Sequence, residues 1–406
     1  MSHQKTDRRS EYIIEYCHEK INPLWDAFVN DNDGDIAQTS AWANYEFQYK
    51  GWRNFRFFVK NEDVLVAGCQ MTIIFDALWG DIGLVQNGPC FKIKTPDVMS
   101  LVVKELKKNI HVLNLSYLIV TPNYKEHDWT IFLENENFES KIHNLPPYRI
   151  STASDVTLFL DLSLSTDDMF KQMKSMRRRG IQKGLKSPFQ VKHGGRDDLK
   201  VFYDLYNCTV TRHPYTDPVT NITVDWYPLV ESYHELCKMW DELSPYGWIR
   251  LFLGTVDHEV VCGALAFPFG NAFRYYHWGW NGKYGEYHIS DTIQWEMIQW
   301  AKANGFQHYD FVEIDLDVAE AFLSSEPIPE TVRKKYFYGP TMFKLQFGGH
   351  IVKYPDLYVY YSDKMKYLME TASDELAQLL QQSKNFYWSA KRFFRRHHVN
   401  LTRILE

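Results

Sequence analysis

Seven basic residues lie close together between residues 170 and 188, with no acidic residue among them. They are Lys171, Lys174, Arg177, Arg178, Arg179, Lys183 and Lys186. At helical spacing several of these side chains share one face, and such a face can bind the phosphates of RNA or of a nucleotide-linked or lipid-linked substrate. The alternative is a solvated basic helix without a ligand. The sequence alone leaves both interpretations open.

A second basic segment follows a predicted helix at 363–382. Its basic and aromatic residues alternate: Phe386, Tyr387, Trp388, Lys391, Arg392, Phe393, Phe394, Arg395, Arg396, His397, His398 and Arg403. Three interpretations compete for this segment. It docks on the core through its aromatic rings, it makes an interfacial membrane contact, or it binds RNA through stacking and charge.

The loop at 279–285 has the sequence GWNGKYG and precedes a predicted helix. Backbone N–H groups in such a loop can hold a phosphate, although a plain turn is the simpler interpretation. The chain has no P-loop, no G-x-G-x-x-G, no G-x-S-x-G and no H-E-x-x-H motif. We therefore expect neither a bound metal nor the usual nucleotide-binding and serine-hydrolase sites.

The composition bounds the class of protein. The chain has 406 residues, 45 basic against 51 acidic residues, and 13 Trp, 26 Tyr and 26 Phe. A net charge of −6 excludes a globally basic nucleic-acid binder, so any polyanion site must be a local patch. The apolar fraction of 45% excludes a disordered chain.

The cysteines and the N-terminus indicate the compartment. Six cysteines are scattered without a C-x-x-C pair, which favours free thiols in a reducing cytosol over a zinc ribbon or a disulfide scaffold. Residues 1–11 are polar and do not resemble a secretory signal. No apolar run reaches the length of about 20 residues that a spanning helix needs. The expected location is cytoplasmic.

Two hairpins in the sequence match each other without a gap. Phe57 and Phe252 are 195 residues apart, as are Gly68 and Gly263. In each hairpin the phenylalanine and the glycine lie on either side of a polar turn. After each hairpin the pattern predicts a strand, a helix and a strand. The predicted elements are 83–85, 97–109 and 117–120 in the first half, and 273–280, 290–303 and 309–314 in the second. We therefore expect two copies of one α/β unit rather than a chance likeness.

Five motifs, in the same order along the chain, resemble the Fem-type (FemABX) non-ribosomal peptidyltransferases. They are QTSAWA at 38–43, NGP at 87–89, KSMRRR at 174–179, a set at 278–311 that includes QWEMIQWA at 294–301, and FKLQFGG at 343–349. The resemblance spans residues 36 to 360. Single motifs of this kind are weak, whereas five in order are fairly specific.

The resemblance implies an α/β (α+β) fold of two tandem GNAT-like domains. The expected division is a first domain at 1–160, a basic linker helix at 161–195, a second, catalytic domain at 196–361 and a helical tail at 362–406. Family members transfer an amino acid from aminoacyl-tRNA to an amine, typically on a peptidoglycan precursor. Some relatives build small-molecule natural products. Aminoacyl-tRNA is then a co-substrate, and no cofactor is expected.

The resemblance also implies site residues. Lys344 matches the family's catalytic lysine, with Phe343 beside it, and a fixed cation there would stabilise the oxyanion formed during attack on an ester. Arg212 matches an arginine that contacts substrate phosphate, a task that suits its planar fork. Tyr275 and Tyr276 either line the cleft or pack in the core. An ordinary lysine and a surface arginine are the alternatives.

The chain departs from the family pattern at several positions. Asn44, two residues after Trp42, stands where several relatives have lysine, and both residues are expected in the substrate-binding site. Thr121-Pro122 replaces an Asp-Pro of some relatives. Val312-Glu313 replaces two glycines, which puts the usual peptidoglycan acceptor in doubt. Glu313 is either a base that deprotonates the attacking ammonium or a buried salt-bridge partner.

Three functions remain for comparison. The first is an aminoacyl-tRNA-dependent aminoacyltransferase whose tRNA contacts are Lys174, Arg177, Arg178 and Arg179. The second keeps the fold but uses an acyl-CoA or acyl-carrier-protein donor, although the usual Q/R-x-x-G-x-G/A loop is not clear. The third is a non-catalytic scaffold that binds RNA or a membrane through the same arginines and the tail. A peripheral membrane contact of the tail is compatible with the first function as well.

Overall fold

The computed structural model describes residues 12–76, 80–141, 156–212, 215–216, 223–224, 232–324, 327–335 and 337–366. The described strands are β1 (Tyr12–Cys17), β2 (Arg53–Asn61), β3 (Val64–Asp76), β4 (Gly80–Gln86), β5 (Cys90–Phe91), β6 (Tyr117–Thr121), β7 (Glu139–Lys141), β8 (Val156–Asp161), β9 (Gln190–Gly194), β10 (Tyr215–Thr216), β11 (Thr223–Val224), β12 (Arg250–Val256), β13 (Glu259–Phe269), β14 (Ala272–Trp280), β15 (His308–Glu313), β16 (His350–Lys353) and β17 (Leu357–Tyr361).

The described α-helices connect and cover these strands. They are α1 (Pro23–Asp31), α2 (Ser40–Lys50), α3 (Pro96–Val112), α4 (His127–Asn135), α5 (Thr166–Gln172), α6 (Ser175–Gly184), α7 (Leu199–Thr211), α8 (Tyr233–Leu243), α9 (Ile289–Ala303), α10 (Leu316–Leu323), α11 (Glu330–Arg333) and α12 (Tyr338–Leu345). The mixed α/β class expected from the sequence is confirmed.

Two large sheets divide these elements into two units. The first sheet has the order β1-β2-β3-β4-β6-β17-β7, with β5 paired to β3, and the second has the order β16-β8-β15-β14-β13-β12-β9. We call the first sheet with α1–α4 the first unit and the second sheet with α5–α12 the second unit. In each unit an antiparallel hairpin leads to a strand that pairs in parallel with the next one after a helical crossover, β4 with β6 and β14 with β15.

The duplicated hairpins have the same register in both units. Phe58 pairs with Gly68 in the first hairpin, and Leu253 pairs with Gly263 in the second. Each hairpin also has an irregularity at the same place, after Val59 in one and after Gly254 in the other. Because a shift of one residue would turn every side chain to the other face, an identical register and bulge indicate one ancestral unit.

The helices that follow the hairpins begin as their sequences dictate. Thr95 accepts a hydrogen bond from the backbone of Val98 and Pro96 occupies the first turn of α3, a common helix start. Ser290, the first residue of the predicted helix 290–303, lies in the first turn of the corresponding helix α9, after His288 in a left-handed conformation. Gly305 follows α9 at φ +84°, the conformation that favours glycine.

The predicted domain boundaries at 160 and 361 do not coincide with the two sheets. Strand β8, expected in the first domain, pairs with β15 and β16 of the second sheet, and β17, expected in the second domain, pairs with β6 and β7 of the first. These exchanged strands cover edges of β15 and β6 that would otherwise expose unpaired backbone groups. The predicted linker helix is two helices, α5 and α6, followed by β9, an edge strand of the second sheet.

The two units share part of their core. Trp42 of α2 meets Phe267 of β13 edge to face, with ring centroids 5.7 Å apart. The hydroxyl of Tyr45 donates to Glu235 of α8 at 2.6 Å. These contacts belong to one apolar cluster that draws residues from α1, α2, α7, α8 and the hairpin β12–β13. The units therefore form a continuous interface, and a cleft beside it has walls from both.

Other expectations have mixed outcomes. All six cysteines are free thiols, as predicted. A search of the described helices finds none that is long and apolar enough to span a bilayer. The C-terminal tail from residue 367 onward, with its basic and aromatic residues, lies outside the described residues.

Candidate active site

The strands β14 and β15 part from each other near the centre of the second sheet. They pair over three positions only, from Ala272 with His308 to Arg274 with Asp310. Beyond Asp310 the pairing of β15 with β8 is also irregular until Glu313. Parallel strands that separate in this way leave a gap at their carboxyl ends, and in open sheets that is where ligands bind. A cavity lies there, bordered by both units.

A half-buried arginine lies at the point where the strands part. The Arg274 guanidinium reaches Asp35 of the first unit at 2.9 Å from Nη2 and Asp310 of β15 at 3.1 Å from Nε. Burial alone would lower the pKa of Arg274, but the charges of Asp35 and Asp310 raise it well above its ordinary value. The residue is therefore a permanent cation that joins the two units.

Asp310 connects this ion pair to the backbone of the gap. Its Oδ1 accepts from the hydroxyl of Thr157 and, at 2.8 Å, from the backbone N–H of Val312. Val312 has φ +59°, a left-handed conformation that is a strained outlier for a β-branched residue. The carboxylate of Asp310 thus holds a strained turn in which the next carbonyl, that of Glu313, faces α12.

Lys344 of α12 lies against that turn. Its Nζ donates to the backbone oxygen of Glu313 at 2.6 Å. Burial lowers the pKa of Lys344 to about 8, while the charges of Glu313 and Asp310 act in the opposite direction. At neutral pH Lys344 is therefore mainly a cation in a fixed position, and it is close to the pH at which it releases its proton. Such a group can stabilise an oxyanion or transfer a proton.

Glu313 and Phe343, the other predicted catalytic residues, lie beside Lys344. The Glu313 side chain is exposed, and its backbone carbonyl holds the lysine. The ring of Phe343 packs against Phe347 at 5.2 Å between centroids, and the guanidinium of Arg177 lies 4.7 Å over its face. The structure thus brings the three residues together, with Phe343 in a packing role.

Of the residues predicted to bind phosphate, Arg177 is already paired. It forms an ion pair with Asp291 of α9 and donates to Gln346 at 3.1 Å. It is therefore a structural residue rather than a free phosphate ligand, which corrects the expectation from the sequence. Helix α6 packs closely on α9 because Gly180 and Gly184 face it. A Cβ at Gly184 would meet Thr292 and, at 2.9 Å, the backbone oxygen of Tyr287.

The other predicted phosphate ligands, on α6 and just before it, are exposed or half-buried. Lys174 is exposed with its Nζ 5.2 Å from the ring centre of Phe322, and Arg178 donates to the backbone oxygen of Lys171 at 2.9 Å. Arg179 is exposed. These three residues remain candidates for contact with a polyanion.

Arg212 lies away from the cavity at the end of α7. It donates to the backbone oxygen of Trp280 at 2.7 Å, and its guanidinium lies 5.0 Å over the Trp280 ring. A Cβ on Gly282 would approach Arg212 Nη1 to 2.7 Å. The predicted phosphate-binding arginine is therefore exposed beside the 279–285 loop, which is where a phosphate was considered from the sequence.

Besides Arg212, four residues were predicted to bind substrate, and the structure separates them into two groups. Trp42 and Tyr276 line the cavity. Tyr275 packs into the core of the second unit, and Asn44 donates to Glu242 of α8 at 2.7 Å, which makes it an inter-unit contact.

Sequence reasoning missed the ionic group of Asp35, Arg274 and Asp310. A signal existed, because Arg274 is the one charged residue of β14 and Asp310 lies between aromatic residues in the middle of β15, and charged residues are almost never buried without a partner. Their pairing across β14 and β15 could not be read from the sequence. Among the described residues no group of histidine, cysteine and acidic side chains could hold a metal ion.

Comparison with known families finds two overlapping matches. The FemAB family model matches residues 24–227, and the acetyltransferase (GNAT) domain model matches residues 168–318. Among curated proteins, aminoacyltransferase FemB of Staphylococcus epidermidis is 22% identical over 323 residues, which cover 64% of this chain and 78% of FemB.

Solved structures agree with these matches. A FemX crystal structure superposes with a TM-score of 0.72 at 16% identity, covering 87% of this chain and 99% of FemX. The structure of L-PGS from Bacillus licheniformis superposes with a TM-score of 0.52 at 12% identity, covering 90% of this chain and 97% of that one. At such identities the likeness concerns the fold, and it confirms the expected pair of GNAT-like units.

Proposed function

The chain belongs to the FemAB family, and we propose that it transfers an amino acid from aminoacyl-tRNA to an amine, forming an amide bond. The predicted enzyme class is confirmed at the level of an acyltransferase by the GNAT-domain match and the similarity to FemB. The observation that carries the proposal is the position of Lys344, held by the Glu313 carbonyl beside a cavity between the two units.

The reaction follows from this geometry. The acceptor nitrogen attacks the ester carbonyl carbon, a C–N bond forms, and the negative charge collects on the carbonyl oxygen. Lys344 stabilises this oxyanion, because a fixed cation in a buried site acts more strongly than one in water. The ester C–O bond then breaks, and the leaving tRNA hydroxyl takes up a proton. Glu313 is the candidate base for the proton that the attacking ammonium must lose.

The outward face of α6 is the proposed contact for the tRNA. Arg178, Arg179 and Lys183 lie on α6, which contains no acid, and Lys174 precedes its first residue. Phosphate contacts of this kind are sequence-independent and weaken as salt rises. We expect the double charge reversal R178E/R179E to raise the KM for aminoacyl-tRNA while the fold is retained.

The acceptor is an amine on a peptidoglycan precursor or on a small natural product. The family supports the former, while Val312 and Glu313 in place of two glycines support an acceptor of different shape. The catalytic roles are assigned to side chains of the chain itself, so the proposal includes no cofactor. A membrane contact of the C-terminal tail stays a prediction.

A radiolabel transfer assay tests the proposal. A pool of tRNA charged with labelled amino acids is incubated with the enzyme and candidate amines, with and without ribonuclease. We expect label in the amide product only when the tRNA is intact. Transfer that ribonuclease does not affect, with a free amino acid or another donor, would contradict the tRNA-dependent function.

An acyl-thioester donor is the alternative that the GNAT-domain match supports. A diphosphate-containing carrier would be expected at the N-terminus of the crossover helix α9, because helix N-termini attract such anions. There, Asp291 contributes its own carboxylate to the first turn, and α6 packs closely through Gly180 and Gly184. This arrangement disfavours the alternative. Tight binding of coenzyme A in calorimetry would reverse the ranking.

A further inference from the structure

The cavity between the two units has walls of a particular kind. Three rings line it in sequence, since Trp42 contacts Phe267 at 5.7 Å and Phe267 contacts Tyr276 at 4.4 Å between centroids. The rest of the lining is Ile36, Ala37, Thr157, Arg274, Asp310, Val312 and Tyr354. The space is small, about 30 Å³. An apolar, aromatic cavity of this size admits a compact group rather than a long side chain.

The charges around this cavity do not cancel. Asp35 and Asp310 are both almost fully buried, and they share one cation, Arg274. The phenols that adjoin this ionic group add no charge of either sign, because burial and then the nearby carboxylates raise the pKa of Tyr124 and Tyr354. Glu313 and Lys344 lie next to this group and interact with each other, and Lys344 also interacts with Asp310. Counted together, three carboxylates stand against two cations, so one negative charge is in excess beside the cavity, and an excess charge near a buried site is unfavourable.

A small organic cation matches both properties. An excess carboxylate supplies Coulomb attraction, and the faces of Trp42, Tyr276 and Phe267 attract cations through their quadrupoles. A phosphate or a carboxylate group would instead meet repulsion. The isopropyl group of Val312 lines one side of the cavity, so it limits the size of the groups bonded to the cation.

The cavity also lies next to the proposed catalytic lysine, because adjacent residues contact the two. Val312 lines the cavity and gives its N–H to Asp310, and the next carbonyl, that of Glu313, accepts from Lys344. In an aminoacyl ester the ammonium is attached to the carbon next to the carbonyl. A donor with its ammonium in the cavity therefore has its reacting carbonyl near the turn that holds Lys344.

We propose that this cavity is the subsite for the α-ammonium group of the aminoacyl donor, with Asp310 as its counterion and Val312 as the residue that restricts the size of the adjoining side chain. The inference rests on the proposed function, because it assigns part of that donor. An acceptor amine must lose its proton before it attacks, so a site that stabilises an ammonium suits the donor better. The same site keeps the donor amine protonated and therefore prevents it from reacting as a second nucleophile.

Calorimetry with small amides tests the subsite without tRNA. Glycinamide, L-alaninamide and L-serinamide are titrated into the full chain, and acetamide and propionamide serve as matched ligands without the ammonium. We expect at least tenfold tighter binding of the ammonium-bearing amides. In Asp310→Asn this preference falls at least tenfold. Asp33→Asn is the control, because it removes a carboxylate from an exposed pair with Lys125 and should leave binding unchanged.

A second variant covers the case in which Asp310→Asn fails to fold. Val312→Leu keeps every charge and fills the cavity, so it should weaken alaninamide binding more than glycinamide binding. Equal binding of amides with and without the ammonium, or binding to none of them, would overturn the subsite. So would inhibition of transfer that is competitive with the acceptor amine and not with the donor.

The two proposals fail in different ways. If the amides bind as expected but transfer is insensitive to ribonuclease, the ammonium subsite stands and the tRNA donor is wrong. If transfer depends on intact tRNA but the amides show no preference for an ammonium, the function stands and the subsite is wrong.

Discussion

The two units of this molecule have different residues at equivalent positions of their two sheets. Thr72 and Phe267 are 195 residues apart, like the duplicated hairpins, and their strand partners are Leu84 and Arg274. These partners in turn lie beside Ile119 in the first unit and Asp310 in the second. An apolar pair in one copy thus corresponds to an ion pair in the other.

The strand pairing differs together with the side chains. In the first unit β4 and β6 pair over five positions, from Ile82 with Tyr117 to Gln86 with Thr121. In the second unit β14 and β15 pair over three and then part. The first copy thus has a continuous parallel pairing and supplies a wall of the cavity through Ile36, Ala37 and Trp42. In the second copy the strands separate, and charged residues lie at the gap.

The largest expected loss of stability comes from replacing the central residue of the ionic group, Arg274, by the apolar residue type found in the first unit. Arg274→Leu introduces the residue type of the first copy but leaves Asp35 and Asp310 buried without a partner. We expect the free energy of unfolding to fall by about 3–5 kcal/mol. Chemical denaturation of the variant and the parent chain measures the loss.

A matched arginine provides the control for this loss. Arg196 makes a two-bond pair with Asp241 at the surface, so Arg196→Leu should cost less than about 1 kcal/mol. Converting all three residues, as Arg274→Leu, Asp310→Ile and Asp35→Asn, should recover most of the stability. Similar losses for the Arg274 and Arg196 variants would contradict the interpretation of a buried ionic group.

Substitution of Lys344 tests whether the catalytic group lies in the second unit. Lys344→Met should lower the rate of transfer by about 100-fold to 1,000-fold, as expected for loss of an oxyanion-stabilising group. Single-turnover transfer of label measures this rate. Lys353→Met changes an exposed lysine paired with Glu320 and should leave the rate within a factor of two of the parent. A Lys344→Met rate close to that of the parent would remove the lysine from the mechanism.

The pH dependence sharpens the role of the same lysine. Since the pKa of Lys344 is about 8, its cationic form is lost as the pH rises through that value. We expect transfer to decline above pH 8 and the decline to move to higher pH in Lys344→Arg, whose side chain stays charged. A rate that rises through pH 8 in the parent chain would favour the lysine as a base instead.

The sequence predicted more of the fold than of the site. The duplicated hairpins were recognisable because Phe57, Gly68 and their counterparts keep a constant offset, and the helices follow from periodicity and caps. The exchange of β8 and β17 between the sheets was not predictable, because pairing between distant strands has no local signal. The ionic group was missed for the same reason, since Asp35 and Arg274 meet only in the folded chain. Lys344 was found through family motifs, not through its environment.

Two equivalent glycines test how closely the copies still match. A Cβ at Gly68 would lie 2.5 Å from the Trp25 ring and 3.0 Å from the backbone oxygen of Phe57, while at Gly263 it would lie 2.8 Å from the Phe202 ring. In both units a helix thus presses an aromatic ring onto the hairpin. We expect Gly68→Ala and Gly263→Ala each to cost about 1–3 kcal/mol.

The larger of these two losses is expected at Gly68, where the ring and the backbone are both closer. Thermal and chemical unfolding of the two variants measure the difference. Gly247→Ala is not a suitable control because that glycine has φ +73°, whereas Gly195 has open space around its Cβ position and an extended backbone. Gly195→Ala should be nearly neutral, and a similar loss there would show that crowding is not the cause.

The smallest expected change in stability concerns the turn at Val312, where β14 and β15 have separated. Val312 is at φ +59°, and its counterpart in the first copy is Thr121, an ordinary strand residue. A left-handed conformation costs a residue with a Cβ about 1–2 kcal/mol that glycine does not incur. We therefore expect Val312→Gly to be more stable than Val312→Ala by about 1 kcal/mol. At Thr121 the order should be reversed, because glycine weakens a regular strand. Denaturation of the four variants decides this, and alanine above glycine at both positions would mean that the turn relaxes in solution and that no strain is stored beside Lys344.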